Sequence, residues 1–174
     1  MNDVIVANHS SLVFTQRLIN GSDRESQLTL SLTADERTKT RRYVETDNGQ
    51  GVYLRLPRGT VLHHGDVLST APDIDTAPDI DTNPDANTDP KEHAHFIQVI
   101  ATAEPVMTAY AETSLELLKA AYHLGNRHVP VEVATHFLRL SPDPVLKHML
   151  VHMGLTVIDE VRPFEPEVGA YHHH

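Results

Sequence analysis

The 174-residue chain contains no cysteine and no tryptophan, and aromatic residues make up only 5% of it. The absence of cysteine excludes disulfides, thiolate zinc sites and a cysteine nucleophile. Any bound metal ion would therefore be held by imidazole, carboxylate, backbone or water ligands. Imidazole suits nickel, zinc, copper and iron, and 13 histidines supply it in unusual number. A metal-binding role has to be weighed against the simpler interpretation that these histidines are surface residues.

Positive charge is also scarce, since 14 Lys and Arg face 24 Asp and Glu and leave a formal net charge of −10. Nucleic-acid binding requires a basic surface and is not expected. No run approaches the roughly 18–20 apolar residues that cross a bilayer. The start MNDVIVANHS has no basic region followed by an apolar run, as a signal peptide would. We therefore expect a cytoplasmic protein without a membrane partner.

The first part of the chain is predicted to form short β-strands. Four segments are rich in Val, Leu, Tyr and Thr and partly alternate apolar with polar residues: SLVFTQRL at 11–18, SQLTLSL at 26–32, RRYVET at 41–46 and GVYLRLP at 51–57. Turn signals stand at Asn20-Gly21, Asn48-Gly49 and Pro57-Arg58-Gly59, and Asn48-Gly49 marks the clearest hairpin. With a further strand at HFIQVIA, they predict a small all-β domain over residues 1–103.

Residues 71–92 interrupt this domain. APDIDT occurs twice in tandem, at 71–76 and 77–82, and NPDANTDP follows. A segment rich in Pro and Asp and poor in apolar residues cannot bury enough surface to become ordered. We interpret it as a disordered acidic insertion that grew by duplication in a hairpin loop. The alternative is a weak site for a hard cation, built from its carboxylates.

From residue 104 the pattern changes to alternating strands and helices. EPVMTAYA, VPVEVA, HFLRL and LTVIDEVRPF are predicted strands, and SLELLKAAYHL and PDPVLKHMLVHM are predicted helices. Ser114 and Ser141 are the expected N-terminal ends of the helices, with Gly125 and Gly154 just past the C-terminal ends. One face of the second helix is predicted to be apolar, with Val145, Leu146, Met149, Leu150 and Met153.

The order βαββαβ is that of a ferredoxin-like domain. We assign this domain to residues 104–165 and a flexible histidine-containing tail to 166–174. The fold class is therefore α+β with two domains, an all-β domain followed by a ferredoxin-like one.

Catalytic templates are absent from the sequence, which contains no HExxH, GxSxG, P-loop or GxGxxG pattern. His64-Gly65-Asp66 superficially resembles a hydrolase fragment, but a tripeptide between strands is better read as a β-turn. We therefore do not expect an enzyme, and no residue is assigned a catalytic role.

Three sets of histidines in the body of the chain are candidate metal ligands. His93 and His95 would point to the same side of a strand, although they stand where the acidic insertion rejoins the fold. His148 and His152 are four apart on the second predicted helix and share a face. They are either a secondary metal site or simply solvent-exposed residues on the side of the helix. His123 falls in the last turn of the first helix, where a protonated imidazole would complement the helix dipole.

The chain ends in three histidines at 172–174. They are either the start of an expression tag or a native arm of auxiliary metal ligands.

The segment YHLGNRHVP at 122–130 resembles the nickel metallochaperones of urease assembly, the UreE family. Further matching segments occur in the same order along the chain. They are Asp35-Glu36-Arg37 with Lys39 and Arg41, LPRG at 56–59, GDVL at 65–68, Phe96-Ile97-Gln98-Val99, MGLTV at 153–157 and PFEPEVGAY at 163–171. LPRG or GDVL alone would be weak, whereas YHLGNRHVP together with PFEPEVGAY is highly specific. The resemblance covers nearly the whole chain except residues 71–92.

This resemblance implies a fold, a metal and a set of partners. It implies an N-terminal domain similar to the peptide-binding module of J-domain chaperones and a ferredoxin-like metal-binding domain. In the family, the histidine matching His128 pairs with its symmetry mate around one Ni(II) ion at a homodimer interface. His172, His173 and His174 could then serve as auxiliary ligands. The implied partners are the urease accessory GTPase, UreG, and the urease apoprotein complex.

The chain departs from the family pattern in one region. Some relatives carry additional histidines after the strand that begins VPVEVA, where this chain has Pro142 and Pro144. Proline cannot bind metal through its side chain, so a secondary site at that place is not expected.

Two other functions stay open at the level of sequence. A metalloenzyme would normally need three protein ligands and a base, and no such cluster is visible on one predicted element. A peptide-binding chaperone or scaffold module would act through the β domain, with incidental histidines. The choice among Ni(II), Zn(II) and Cu(II) is also open, because copper binds nitrogen and oxygen sites more tightly than nickel does.

Overall fold

Alternating apolar and polar residues form the short strands of the N-terminal part, as the sequence predicts. The computed structural model of the chain describes residues 12–18, 26, 28–70 and 94–168. The strands there are β1 (Leu12–Phe14), β2 (Gln16–Leu18), β3 (Leu28–Leu32), β4 (Arg41–Glu45), β5 (Gly51–Arg55), β6 (Val67–Ser69) and β7 (Phe96–Ala101). They form a three-stranded sheet, β1-β5-β4, and a four-stranded sheet, β2-β6-β7-β3. The predicted insertion at 71–92 and the turn at Asn20-Gly21 lie outside the described residues.

The β4–β5 hairpin confirms the turn predicted at Asn48-Gly49, and Gly49 has a φ of 84°. Its register places Tyr43 opposite Tyr53 on the exposed face, with ring centroids 5.2 Å apart. Gly51 lies beneath the Tyr43 ring, because a Cβ at position 51 would fall 1.8 Å from the tyrosine oxygen. The glycine thus leaves room for an exposed aromatic pair.

The N-terminal core is built from the inward-facing residues of these strands and of the segment after β5. Its most completely buried side chains are Phe14, Leu30, Val52, Leu54, Leu56, Leu62, Leu68, Ile97 and Val99. At about 1.5–3 kcal/mol for each large apolar side chain removed from water, their burial is the main favourable contribution to this part of the fold.

A short helix that the sequence analysis did not predict, α1 (Ala34–Arg37), follows β3. It begins with a capping box, in which the Thr33 side chain accepts from the Glu36 N–H and the Glu36 carboxylate accepts from the Thr33 N–H. The Ala34 N–H donates to the Glu104 carboxylate, at 2.7 Å. The T-x-x-E pattern was a usable signal for this helix.

The C-terminal part has the predicted order of elements. They are β8 (Ala103–Tyr110), α2 (Ser114–Gly125), β9 (Glu132–Val133), β10 (Phe137–Leu140), α3 (Pro144–His152) and β11 (Thr156–Pro163). The sheet order is β11-β8-β10-β9, and every neighbouring pair is antiparallel. The third and fourth strands of the βαββαβ unit flank the first, which is the ferredoxin-like topology. The predicted α+β fold class is confirmed.

Both helices cover one face of this sheet. Met107 and Ala109 of β8 and Leu138 and Leu140 of β10 form the sheet side of the core. The helices and their C-terminal loops supply Leu117, Ala120, Leu124, Leu150 and Leu155. Of the apolar face predicted for α3, Leu146, Met149, Leu150 and Met153 pack against this cluster, whereas Val145 is 74% exposed. Val145 lies in the first turn of α3 and does not join the core, although the sequence places it on the apolar face of the helix.

The helix caps also differ from the predictions at their N-termini. Thr113 rather than Ser114 caps α2, because Thr113 and Glu116 form a reciprocal capping box. Asp143 rather than Ser141 caps α3, and its carboxylate accepts from the N–H groups of Val145 and Leu146.

Contacts divide the chain into two units. The first comprises residues up to Leu30 with Lys39–Val99, and the second comprises Ser31–Thr38 with residues from Ile100 onward. Among the described residues, none of the helices is both long and apolar enough to span a bilayer.

Candidate metal centre

His128 occupies a strained backbone position in the loop that ends α2. Its N–H donates to the Gly125 carbonyl at 2.9 Å, and the Val129 N–H donates to the Leu124 carbonyl at 3.2 Å. This pair of bonds is a Schellman motif, in which the residue after the helix adopts the left-handed conformation. His128 is that residue, with a φ of 54°. The prediction that Gly125 would fill this position was wrong, because Gly125 is the last residue of the helix itself.

α3 ends in the same motif with a different residue. The Gly154 N–H donates to the Val151 carbonyl at 3.0 Å, and the Leu155 N–H donates to the Leu150 carbonyl at 3.1 Å. Gly154 has a φ of 92°, which a residue without a Cβ adopts readily. The predicted role of Gly154 at the end of α3 is confirmed.

The His128 side chain is exposed and has no hydrogen bond or ion pair within the described part of the chain. Among those residues it is also the one non-glycine with a positive φ. A side chain in the left-handed conformation costs about 1–2 kcal/mol, and no hydrogen bond or ion pair of the imidazole within the described residues offsets this cost. The ring is exposed at the protein surface, where a ligand can reach it.

The neighbours of His128 in the GNRHV segment stabilise the cap. Arg127 donates from Nη1 to the His123 carbonyl oxygen at 2.8 Å, so it satisfies one of the last carbonyls of α2. Leu124 is fully buried, and Val129 packs against the cluster that contains it. A buried leucine and a partly buried valine therefore flank an exposed imidazole.

The solvent-facing side of α2 carries an apolar stripe that leads toward the cap. Leu115, Leu118 and Tyr122 are 61%, 67% and 67% exposed, and their spacing of three and four residues places them along one side of the helix. Large exposed apolar residues grouped in this way are typical of interaction surfaces.

The C-terminal segment passes beside the strand that follows His128. The Glu167 N–H donates to the Val131 carbonyl at 2.9 Å, and the Glu165 N–H donates to the Glu132 carboxylate at 3.0 Å. Val131 is three residues from His128 in the sequence, so residues 165–167 lie beside the segment that follows the cap.

A second contact holds the same segment from α1. Arg37, whose residue surface is 2% exposed, donates from Nη2 to the Phe164 carbonyl oxygen, and its Nη1 lies 3.3 Å from Glu165 Oε1. Phe164 is also 2% exposed. The PFEPE part of the C-terminal segment is therefore anchored by a buried cation and a buried ring.

The other candidate ligands in the described part of the chain are exposed and dispersed. His148 and His152 lie four residues apart on α3, as predicted, and both are exposed. His123 is in the last turn of α2, as predicted, and its ring lies edge-on to Tyr122. His95 precedes β7, and its backbone is hydrogen-bonded to Thr70. The His95 N–H donates to Thr70 Oγ1, and the His95 carbonyl oxygen accepts from the Thr70 N–H.

His93, His172, His173 and His174 lie outside the described residues. The His93–His95 site and the ligand role of the tail therefore stay predictions.

His64-Gly65-Asp66 is a turn, as expected. Gly65 has a φ of 85°, and the Asp66 carboxylate accepts from the His63 N–H at 2.7 Å. The aspartate thus closes the loop before β6.

Within the described residues, no group of three or more His, Asp or Glu side chains could enclose a metal ion. A metal ion at His128 would need further ligands from outside the described residues of a single chain. A two-fold axis converts one imidazole per chain into two per site. Nickel and related ions accept imidazole nitrogen readily, so the donor type fits a transition-metal ion.

Two family models match the chain. Residues 14–73 match the UreE urease accessory protein, N-terminal domain, and residues 104–174 match its C-terminal domain. The chain belongs to the UreE family. Both descriptions name an accessory protein, which agrees with the expectation that the chain is not an enzyme.

Relatives of similar length carry the same name. The UreE urease accessory protein of Nostoc sp. (strain PCC 7120) is 48% identical over 163 residues, covering 94% of this chain and 97% of the relative. That of Nostoc punctiforme is 47% identical over 165 residues, covering 94% and 98%. That of Thermosynechococcus vestitus is 46% identical over 148 residues, covering 85% and 89%. The UreE resemblance noted in the sequence is confirmed.

The residues that hold the C-terminal segment of this UreE chain are not among the site residues predicted from the sequence. Glu132 and Arg139 are opposite charges directly across the β9–β10 pair, at 2.8 Å. Such cross-strand pairs are a known source of sheet stability, and the pair could have been found once the hairpin was placed. Arg37 joins Phe164 across 127 residues of sequence, and no local pattern predicts a contact of that range.

Proposed function

We propose that the chain is a nickel-binding metallochaperone that delivers Ni(II) to the urease apoprotein during assembly of its active site. The observation that carries the proposal is the exposed His128, which adopts the left-handed conformation at a helix cap. Glycine would adopt that conformation at a lower cost in free energy. An external ligand best explains a strained residue whose side chain makes no hydrogen bond or ion pair among the described residues. The imidazole and the family membership together support a metal ion as that ligand.

We propose that two chains share the ion through His128 at a homodimer interface. The apolar stripe of Leu115, Leu118 and Tyr122 on α2 supports association, because it leaves large apolar side chains exposed in a single chain. α2 also ends at the loop that carries the histidine. One His128 per chain then gives two imidazole ligands on the two-fold axis.

His172, His173 and His174 are proposed as auxiliary ligands, with water in the remaining positions. A nickel site that is only partly enclosed by protein suits a carrier, because the cargo must leave again. The exposed pair His148 and His152 is proposed as a weaker secondary site, since two imidazoles on one helical face can bind one ion. Zn(II) and Cu(II) are expected to bind in vitro with the same donors.

The proposed partners are the urease accessory GTPase, UreG, and the urease apoprotein complex, which receive the metal. The proposed location is the cytoplasm. The chain itself would bind and transfer nickel without catalysing a reaction.

Calorimetric titration with Ni(II) tests the proposal. The expected stoichiometry is about one tightly bound ion per dimer, and His128→Ala should abolish the tight step. His136→Ala is a matched control, because His136 is another exposed histidine of the same unit. Unchanged tight binding by His128→Ala, in a protein whose residues 172–174 are alanine, would remove His128 from this role. Loss of tight binding when only residues 172–174 are changed would instead assign the tight site to the tail.

A second candidate function is a peptide-binding or scaffold role of the β domain. The exposed Tyr43–Tyr53 pair favours it, because tyrosine is enriched at protein-binding surfaces. Under this alternative, Tyr43→Ser would impair urease activation in cells while nickel binding stayed normal. If the chain is a metallochaperone, His128→Ala should instead lose nickel binding and urease activation together.

A further inference from the structure

We infer that the exposed face of the β4–β5 hairpin docks an extended segment of a partner protein through one carboxylate and one apolar side chain. This face, hereafter the Arg–Tyr face, consists of Arg41 and Tyr43 on β4 with Tyr53 and Arg55 on β5. It belongs to the first unit, whereas His128 belongs to the second. The inference therefore does not depend on nickel binding, and it gives the peptide-binding role considered above a defined face and ligand.

The register of the hairpin brings two like charges together. Arg41 and Arg55 are directly opposite partners, and both are exposed. The Leu56 N–H donates to the Thr40 carbonyl oxygen at 3.0 Å, so the adjacent arginine pair is a non-hydrogen-bonded one, in which side chains stand closest together. Like charges that are placed directly opposite each other destabilise a hairpin. A bound carboxylate would relieve this repulsion.

Neither arginine has an ion pair within the part of the chain that the structure describes. Arg55 also makes no hydrogen bond there, and Arg41 donates from Nε to the Leu56 carbonyl oxygen at 3.1 Å. The acidic residue on the same face of β4 is Glu45, four residues from Arg41 or about 13 Å along the strand. This distance exceeds the Debye length of about 8 Å at physiological ionic strength. Glu45 therefore does not neutralise the pair, and an external carboxylate can.

The charge of the chain favours a protein partner over a nucleic acid. A guanidinium donates two parallel bonds to a carboxylate or to a phosphate. A nucleic acid repeats its negative charge at each nucleotide, and it would be repelled by a chain with a formal net charge of −10. A protein segment with a single carboxylate meets the arginine pair without that cost.

The two tyrosines determine what lies beside the carboxylate. Tyr43 and Tyr53 are 51% and 46% exposed, and their rings meet edge-on. Neither hydroxyl forms a hydrogen bond among the described residues. Tyrosine and arginine are enriched at protein interfaces and among the residues that dominate binding energy. The exposed ring surface suits a large apolar side chain of the partner.

The spacing along the strands gives a sequence pattern for the partner. On each strand the arginine and the tyrosine are two residues apart, or about 7 Å. Alternate side chains of an extended segment point to one side at the same spacing. A segment along the strands therefore contacts both pairs when its acidic and apolar residues are two positions apart. Because Glu45 lies two positions further, a basic residue is favoured next, and the pattern acidic-x-apolar-x-basic is neutral overall.

The test titrates a peptide with this pattern into the isotope-labelled, full-length chain. The probe is capped Gly-Ser-Glu-Thr-Leu-Thr-Lys-Ser-Gly, and nuclear magnetic resonance shifts report both the binding site and the dissociation constant. In one control peptide, lysine replaces the glutamate. In the other, the leucine and the threonine before it are exchanged, so the leucine points away from the tyrosines when the glutamate contacts the arginines.

We expect the probe to shift the resonances of the Arg–Tyr face and each control peptide to bind about two- to fivefold more weakly. Arg55→Glu removes one attraction and adds a repulsion, so it should weaken probe binding about five- to twentyfold. Lys119→Glu makes the same change of charge on α2 of the second unit and should leave probe binding nearly unchanged.

Stability separates a binding role of Arg55 from a structural one. Glutamate at position 55 would form a cross-strand ion pair with Arg41. We therefore expect Arg55→Glu to raise Tm by about 1–4 °C while probe binding falls. Nickel affinity should stay the same in this variant. If Arg55→Glu lowers Tm and probe binding together, the weaker binding reflects a folding defect and the inference is overturned.

Other outcomes would also overturn the inference. One is the absence of shifts at the Arg–Tyr face with millimolar probe, and another is equal binding of the three peptides. Tighter binding of an oligouridylate than of the probe would assign the face to single-stranded nucleic acid. A change in the oligomeric state of the free chain on Arg55→Glu, measured by sedimentation, would assign it to a second copy of the chain. Failure of nickel binding in the native protein would contradict the proposed function and leave this inference standing.

Discussion

His128 and Gly154 hold the same position in two equivalent helix caps, and only one of them is glycine. The N–H of each residue donates to the carbonyl oxygen three residues earlier. The N–H of the residue that follows donates to the carbonyl oxygen five residues earlier. Each also has a positive φ, 54° for His128 and 92° for Gly154. The two caps therefore form an internal comparison within one unit. A histidine at the cap of α2, where glycine would be more stable, indicates a requirement other than the stability of the fold.

Replacing His128 by glycine should separate stability from function. The substitution removes the strain of a side chain in the left-handed region, so we expect stability to rise by about 1 kcal/mol. For a chain of this size that corresponds to an increase in Tm of about 2–4 °C. Nickel binding should be lost in the same variant. Thermal unfolding of the metal-free protein and calorimetric titration measure the two effects.

His128→Ala is the matched control, because it loses the imidazole and keeps a Cβ. It should fail to bind nickel without gaining stability. Equal stability of the alanine and glycine variants would show that the backbone at this cap is not strained.

The reverse experiment applies to Gly154. A Cβ there would meet nothing within 4 Å, so the cost of Gly154→Ala comes from the backbone alone. We expect a loss of about 1–2 kcal/mol in the free energy of unfolding and no change in nickel affinity. Denaturant unfolding monitored by circular dichroism measures the loss. A neutral substitution would contradict the assignment of a left-handed cap to this residue.

Arg37 is expected to be important for the stability of the second unit. Its guanidinium is buried against Phe164 and Glu165, and its Nε has no hydrogen-bond partner within the part of the chain that the structure describes. Arg37→Ala leaves the Phe164 carbonyl without this donor and opens a cavity, so we expect a loss of about 2–4 kcal/mol. Because Glu165 is 34% exposed at its side chain, the electrostatic part is small.

Arg37→Met provides the comparison, because it fills most of the space without carrying charge. It should lose less than the alanine variant, since a buried charge has a large desolvation cost. Chemical denaturation of the three proteins checks this order. A methionine variant less stable than the alanine variant would contradict it.

The regular elements of both parts were predictable because their signals are local. Alternation and an Asn-Gly turn identify the β4–β5 hairpin, and apolar spacing identifies α2 and α3. The order βαββαβ then restricts the second unit to very few topologies. The ends of the helices were less certain, because Thr113 and Ser114 are both good caps. The structure selects Thr113, whose spacing to Glu116 completes a reciprocal pair.

The geometry of the candidate site could not be predicted in the same way. Gly125 is the residue that a sequence pattern places in the left-handed position, yet the chain continues to turn for three more residues. The cap closes between Leu124, which is buried, and Val129, which is partly buried, and both pack against the core of the second unit. The grouping of Ser31–Thr38 with the second unit depends on contacts with Glu104 and Phe164. Such contacts are distant in sequence and leave no periodic signal.

Gly51 is predicted to control the exposed aromatic pair of the first unit. A Cβ at Gly51 would collide with the Tyr43 ring, whose nearest carbon would lie at 2.5 Å. Because Tyr43 is 51% exposed, we expect Gly51→Ala to push the ring away from Tyr53 into solvent. The lost ring contact corresponds to about 0.5–1.5 kcal/mol. Nuclear magnetic resonance of the tyrosine ring protons and denaturant unfolding measure the two effects.

The double variant Gly51→Ala with Tyr43→Ala is the control for this mechanism. Once the ring is absent, the added methyl group should have little further effect on stability. Additive losses from the two substitutions would show that Gly51 acts through its backbone and not through the ring.

Acidification should release nickel, and the direction follows from competition at the ligands. Imidazole binds metal only as the free base, and its ordinary pKa is about 6.5. Affinity should therefore be nearly constant above about pH 7 and should fall steadily below about pH 6. If two imidazoles from a dimer and further ones from the tail bind the ion, the fall should be steeper than one proton per ion. Titration calorimetry in buffers of different ionisation enthalpy counts the protons released. The alanine-tail protein should release fewer protons per ion than the native chain, and equal numbers would exclude the tail histidines from the site.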